Sequence, residues 1–63
     1  MTPEEEELAL LHVAERVRER HPNVEQAEIV HRVQIRAQEF DGRPVRDFVP
    51  LLVERGVRAD LRA

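Results

Sequence analysis

The stretch Phe40–Arg55, with the sequence FDGRPVRDFVPLLVER, joins a turn signal, a helix start and the densest apolar run of the chain. Gly42 is typical of a helix exit, because glycine adopts the left-handed backbone conformation at little steric cost. Pro44 suits the first turn of a following helix, where its missing N–H would have no partner in any case. The stretch therefore predicts two helices joined by a short turn, the second of which starts at Pro44.

The helix predicted over residues 44–61 contains a second proline, Pro50. Its apolar residues are spaced three or four apart, which places them on one helical face: Val45, Phe48, Val49, Leu52, Gly56 and Ala59. An interior proline removes one backbone hydrogen bond and costs about 3 kcal/mol or more. The helix either restarts at Pro50 or continues through it with a kink, and the unbroken apolar spacing favours the kink.

The start of the chain predicts a first helix over residues 3–20. In the sequence Thr2-Pro3-Glu4-Glu5, the Thr2 hydroxyl can cap the amide of Glu5 while the Glu5 carboxylate binds back to Thr2. The helix should end before His21-Pro22, because the residue before a proline disfavours the helical conformation.

A second helix is predicted over residues 24–40, with Asn23 as its cap. Because the predicted connections are only about three residues long, neighbouring helices should run in opposite directions. The predicted fold is all-α, an antiparallel three-helix bundle in a single domain spanning residues 1–63. We expect Phe48 at the centre of its core, so that Phe48→Ala would unfold the chain. The predicted core residues are Leu10, Val13, Val17, Val30, Val33, Phe40, Val45, Phe48, Val49 and Leu52.

Further apolar residues lie away from the predicted core and indicate self-association. Ile35, for example, lies about 160° around the second helix from Val33. A core built from 63 residues rarely supplies more than about 3–5 kcal/mol, and oligomerisation adds burial. We therefore expect a homodimer, since contiguous exposed apolar patches mark association. The predicted interface consists of Leu8, Leu11, Ile35, Pro50, Val53, Val57 and Leu61.

The segment Phe40–Arg55 also resembles the C-terminal signature of a small three-helix-bundle dimerization domain of actinobacteria, particularly mycobacteria and their relatives. The similarity extends more loosely from about Leu10 to Leu61 and includes His21-Pro22. In that family the domain occurs as a short stand-alone protein or, in related form, ahead of low-molecular-weight phosphatase or arsenate-reductase-like domains. This chain has no room for such a catalytic domain. The resemblance implies self-association and leaves the cellular role open.

No residue pattern in the sequence predicts catalysis, a cofactor or a metal site. The histidines are His12, His21 and His31, and no two of them are four residues apart as in a helical metal pair. The chain has no cysteine, and no spacing indicates a nucleophile with its base. We therefore expect a non-enzymatic protein without cofactor or metal.

The charge and hydropathy of the sequence limit which kinds of partner are expected. A formal net charge of −3 with 37% charged residues argues against nucleic acid or an anionic membrane as a partner. The longest apolar run near the start, Leu8–Leu11, is too short for a signal peptide or a membrane span. We expect a soluble, cytoplasmic homodimer, with an unidentified protein as a further partner left open.

The alternative is a small DNA-binding or regulatory protein. The predicted third helix is more apolar than a typical recognition helix, which needs polar groups that face the groove. The arginines that keep this alternative open are Arg43, Arg46, Arg55, Arg58 and Arg62.

Overall fold

The computed structural model describes residues 2–62, which form three helices and contain no strand. The helices are α1 (Pro3–Arg20), α2 (Gln26–Gln38) and α3 (Val49–Arg62). Each packs against the other two, and the molecule measures 35 × 21 × 15 Å along its principal axes. The prediction of an all-α fold with three packed helices is confirmed. None of these helices has both the length and the apolar character needed to cross a membrane.

The capping box predicted at the start of α1 is confirmed. The Glu5 N–H donates to Thr2 Oγ1 at 3.2 Å, and the Thr2 N–H donates to Glu5 Oε1 at 3.3 Å. These hydrogen bonds to Thr2 lower the pKa of the Glu5 carboxyl. At the other end of α1, the N–H of the capping residue His21 donates to the Val17 carbonyl at 3.0 Å.

The second helix is two residues shorter at each end than the predicted range of 24–40. Asn23 is not its cap: the cap is Glu25, which makes no side-chain hydrogen bond to the helix. The reason lies in the preceding turn, where the Val24 N–H donates to the His21 carbonyl at 3.1 Å. Residues 22–24 belong to this turn, so the helix begins only after it.

The turn after α2 occupies residues 39–42. The Asp41 N–H donates to the Gln38 carbonyl at 3.1 Å, and Gly42 has a φ of 83°. A positive φ strains residues that carry a Cβ. Gly42 therefore ends this turn in the left-handed conformation predicted for it.

The third helix begins at Val49 and not at Pro44. Residues 44–48 are non-helical, and the first helical bond of α3 joins the Leu52 N–H to the Phe48 carbonyl at 3.0 Å. Pro50 thus lies in the first turn, where the missing N–H costs nothing because the first N–H groups of a helix have no internal acceptor. The prediction of a kinked helix through Pro50 is wrong. The alternative, a helix that restarts at Pro50, differs from the observed start by one residue.

The buried core is built almost entirely of valine. In residues 2–62, neither phenylalanine and no leucine is buried. Leucine and phenylalanine are normally among the residues most often found inside. The chain thus buries β-branched side chains, six of them valine, and leaves its leucines and phenylalanines exposed or half-buried. The buried apolar residues are Val13, Val17, Ile29, Val33, Val49, Val53 and Val57.

Three residues predicted in the core are exposed, namely Val45 by 66%, Phe48 by 65% and Leu52 by 42%. The error follows from the start of α3. Because residues 44–48 are non-helical, Val45 and Phe48 do not continue the helical face, which leaves the buried stripe to residues 49, 53 and 57. Leu52 lies about 100° away from Val53 on the helix and faces outward.

The remaining predicted core residues are inside or at its edge. Leu10 and Phe40 are half-buried and pack against the core, and Val30 is half-buried. The prediction missed Ile29, which is fully buried. Its spacing of four residues from Val33 was the available signal.

Candidate functional site

The most exposed apolar segment is the start of α3 and the loop before it. Val45, Phe48, Leu51 and Leu52 are between 42% and 66% exposed, and they lie within eight residues of one another. We call these four residues the 45–52 patch. Leu51 was not singled out in the sequence, although three successive helical residues, Leu51-Leu52-Val53, span about 200° and cannot all face one core.

Arg46 fixes this segment to the rest of the molecule. Its Nη2 lies 2.8 Å from Oε1 of Glu6 in α1, and its Nη1 donates to the Phe40 carbonyl. Both Arg46 and Glu6 have largely covered side chains. The 45–52 patch is therefore held at the end of the molecule where α1 begins.

The structure buries some residues of the predicted interface and exposes others. Val53 and Val57 are fully buried core residues and cannot contact another molecule. Val49, Val53 and Val57 are four residues apart on α3 and form its buried stripe. Pro50 and Leu61 are half-buried, and Leu61 packs against the core.

Three residues of the predicted interface are exposed, namely Leu8 by 54%, Leu11 by 52% and Ile35 by 47%. Leu8 and Leu11 are three residues apart on α1 and so neighbour each other. Ile35 lies on α2, and no exposed large apolar residue lies three or four positions from it. Leu8 and Leu11 thus form a pair near the start of α1, whereas Ile35 is isolated.

A shallow groove of about 530 Å³ separates α1 from α2. Its floor is apolar, and Glu7, Gln34 and Gln38 lie at its sides. Leu11 is the most exposed apolar residue of this groove. The apolar residues that line it are Leu10, Leu11, Ala14, Val30, Val33 and Ala37.

Glu54 is the one buried charged residue in residues 2–62 and links α1 to α3. Arg16 Nη2 of α1 lies 2.7 Å from Glu54 Oε1, and Arg58 Nη2 of α3 lies 2.6 Å from Oε2. The hydrogen bonds from Arg16 lower the pKa of Glu54, an effect that burial opposes and that the charges of Arg16, Arg58 and Arg20 reinforce. The carboxylate therefore stays charged although its side chain is only 11% exposed.

A second ion pair links α2 to α3. Arg36 donates to Asp60 from Nη2 at 2.5 Å and from Nε at 3.0 Å, and these hydrogen bonds lower the pKa of Asp60. The Arg36 side chain crosses α3 at Gly56, where a Cβ would lie only 2.9 Å from Arg36 Cδ and Nε. Glycine at this position therefore leaves space for the arginine.

A basic cleft of about 510 Å³ lies where the C-terminal end of α1 meets α3. The arginines of the third helix are apparent in the sequence, but their convergence with Arg20 and His21 at the end of α1 is not. That convergence depends on how the helices pack, so the sequence alone carried no signal for it. The residues lining the cleft are Arg20, His21, Arg55, Arg58 and Arg62.

The histidines do not come together. His12 and His31 are exposed on different helices, and His21 lies in the basic cleft. Within residues 2–62, no group of three or more histidine or carboxylate side chains is placed to hold a metal ion.

These surfaces define a class of protein, a small all-α domain of three packed helices with an apolar patch and a basic cleft on its outside. Comparison of the chain with protein-family models, with curated proteins and with solved structures finds no match.

Proposed function

We propose that the chain is a non-enzymatic interaction module that forms a homodimer, with the 45–52 patch at the centre of the interface. The observation that carries the proposal is the exposure of Phe48 by 65% and of Val45 by 66%, next to two exposed leucines. Leu8 and Leu11 are also exposed on α1, by 54% and 52%. Exposed apolar surface of this kind is removed from water when a second copy covers it.

The surface area of the chain agrees with a surface that is covered on association. A folded monomer of 7.4 kDa is expected to expose about 4,200 Å², whereas this chain exposes 4703 Å². A stable interface buries about 800 Å² per partner.

The order of residues along the helices and the family resemblance agree with this proposal. At one end of α1, Glu7 and Leu10 share a groove with Ala37 and Gln38 of α2. At the other end, Arg18 lies with Gln26. This order supports an antiparallel bundle, as in the actinobacterial dimerization domains that the segment Phe40–Arg55 resembles.

Ile35 is left out of the proposed interface although it is 47% exposed. Its neighbours at helical spacing are polar, and single exposed apolar residues are common on monomers. Ile35 is therefore a matched control, because it is a large apolar residue of similar exposure to Leu52. Those polar neighbours are His31, Arg32, Gln38 and Glu39.

The test is sedimentation equilibrium at micromolar concentration, combined with thermal melts over a range of protein concentrations. We expect the wild type at twice the 7.4 kDa monomer mass, with a melting temperature that rises with concentration. The double variant Phe48→Ser/Leu52→Ser should sediment as a monomer and keep its helical circular dichroism spectrum. Ile35→Ser should remain a dimer.

Two results would contradict the proposal. One is a wild type that sediments only as a 7.4 kDa species with a melting temperature independent of concentration. The other is equal dissociation of the Ile35→Ser control, which would place the interface on α2.

A further inference from the structure

The basic cleft concentrates positive charge on a chain that is acidic overall. Four arginines line it together with His21. Since the formal net charge of the chain is −3, the sequence outside these four arginines carries −7. The cleft is therefore a local positive site on a negative molecule.

Within residues 2–62, Glu54 is the one carboxylate that forms an ion pair with an arginine of the cleft, and the charge of Arg20 also acts on it. Glu54 is shared between Arg58 of the cleft and Arg16. Arg20, Arg55 and Arg62 make no ion pair with any part of the chain between residues 2 and 62. By contrast, Arg36 of α2 binds Asp60 of α3, and Arg46 of the loop before α3 binds Glu6 of α1.

Compensation of helix dipoles accounts for only part of this cluster. Arg20 and Arg62 lie in the last turns of α1 and α3, where a positive charge is stabilising. Arg55 and Arg58 lie in the middle of α3, beyond the reach of that effect. They add to the repulsion among the like charges of the cleft.

We propose that the basic cleft binds a compact polyanion of the phosphate class, such as the pyrophosphate group of a small molecule. Guanidinium groups match phosphate oxygens with paired N–H donors. The cleft volume of about 510 Å³ is in the range of small-molecule sites. The net charge of −3 of the whole chain disfavours the long backbone of a nucleic acid, which favours a compact ligand.

The test is isothermal titration calorimetry with inorganic pyrophosphate at constant ionic strength. The test variant is Arg55→Gln/Arg62→Gln, and the matched control is Arg18→Gln/Arg43→Gln. Both remove two positive charges from arginines without an ion pair among residues 2–62, but Arg18 and Arg43 lie outside the cleft. Titration with ADP tests whether the cleft also binds a pyrophosphate group that is attached to a nucleoside.

We expect pyrophosphate to bind the wild type and the control with similar affinity. The cleft variant should bind at least about tenfold more weakly, since each charged hydrogen bond contributes about that factor or more. Binding of ADP with the same variant dependence supports the same site. Circular dichroism of both variants verifies that they are folded.

Three results would overturn the inference. The first is no heat of binding with wild-type protein at millimolar pyrophosphate. The second is equal weakening in the cleft variant and the control, which would indicate a response to net charge alone. The third is tighter binding of a short DNA duplex that pyrophosphate does not displace, which would assign the arginines to a nucleic-acid surface. None of these results depends on whether the chain dimerises.

Discussion

The two faces of α3 carry apolar residues of opposite size and exposure. The inner face has three valines, Val49, Val53 and Val57, which are 2% exposed or less. The outer face has two leucines in the first turn and follows directly on Phe48, and all three are at least 42% exposed. Hydropathy is similar on both sides, so it does not separate core from surface here. Side-chain size does, because the space between three short helices fits valine.

The comparison is sharpest at two adjacent residues, Val53 and Leu52. Val53→Asp should unfold the chain, because burying an unpaired carboxylate costs more than the stability of a domain this small. Leu52→Asp places the same charge on the outer face and should leave the helices intact while preventing self-association. Far-ultraviolet circular dichroism measures the first effect and sedimentation the second.

Equal helix content in the two Asp variants would contradict the difference proposed between the inner and outer faces of α3. It would mean either that Val53 is accessible to water or that Leu52 contributes to the core of the protomer.

Phe48→Ala tests whether the largest exposed side chain contributes to folding or to association. A buried phenylalanine truncated to alanine typically costs about 3–5 kcal/mol. Because Phe48 is 65% exposed, we expect the unfolding free energy of the protomer to fall by less than about 1 kcal/mol. The dimer dissociation constant should rise at least about tenfold, as for other large apolar residues at the centre of an interface.

Denaturant melts at dilutions where only monomer is present measure the first quantity, and sedimentation measures the second. If the unfolding free energy of the dilute sample fell by several kcal/mol, Phe48 would be part of the core of the protomer.

The ion pairs that link α3 to α1 and α2 should make stability depend on pH. The pKa of Glu54 is lowered in the folded state, mainly by hydrogen bonds from Arg16. Its contribution is therefore complete above the unfolded pKa of about 4.3 and is lost as the pH falls through the lower folded pKa. Glu54→Gln should cost about 1–2 kcal/mol near pH 7, less than a fully buried pair because both arginine partners are at least 36% exposed.

The decisive measurement is the unfolding free energy of wild type and Glu54→Gln between pH 7 and pH 2. The difference between them should shrink on acidification, and a constant difference would show that the charge of Glu54 contributes nothing. Asp60, whose pKa Arg36 lowers, should remain as a residual acid-sensitive group in the variant.

The smallest effect is expected at Gly56. Alanine at a helical position gains up to about 1 kcal/mol over glycine, but its Cβ would meet Arg36 at 2.9 Å and displace it from Asp60. The two effects should nearly cancel, so that Gly56→Ala changes stability by less than about 0.5 kcal/mol. In an Arg36→Ala background the same substitution should be stabilising by about 1 kcal/mol. A double-mutant cycle measures this coupling, and its absence would mean that the glycine is not required for the arginine.

The sequence correctly predicted the Thr2 capping box and the Gly42 turn, but not the cap of α2 or the packing of residues 44–52. The Thr2 capping box and the positive φ of Gly42 depend only on neighbouring residues, so both can be recognised from the sequence. Both Pro44 and Pro50 suit a first helical turn, and the apolar spacing runs through both, so the spacing alone favoured the wrong start. Arg46, in the non-helical segment 44–48, binds Glu6 forty residues away, and hydrophobic periodicity does not predict a contact of this kind.

The residues of the candidate surfaces also differ in how far the sequence predicted their exposure. Leu8 and Leu11 could be predicted as exposed because they lie off the main apolar face of α1. The exposure of Phe48 and the burial of Val53 depend on where α3 begins and on which of its faces packs against α1 and α2. The basic cleft required the relative placement of two helices.

The valine core has a consequence for conformational entropy. A valine side chain has one rotatable bond, and in a helix that bond already prefers a single rotamer. Folding of the protomer therefore immobilises few side-chain torsions that the helices had not already restricted. The leucines and the phenylalanine of the 45–52 patch keep their rotamer freedom until a partner covers them. In the proposed dimer, the ordering of the backbone and the ordering of the large apolar side chains are thus separate events, the second of which occurs on association.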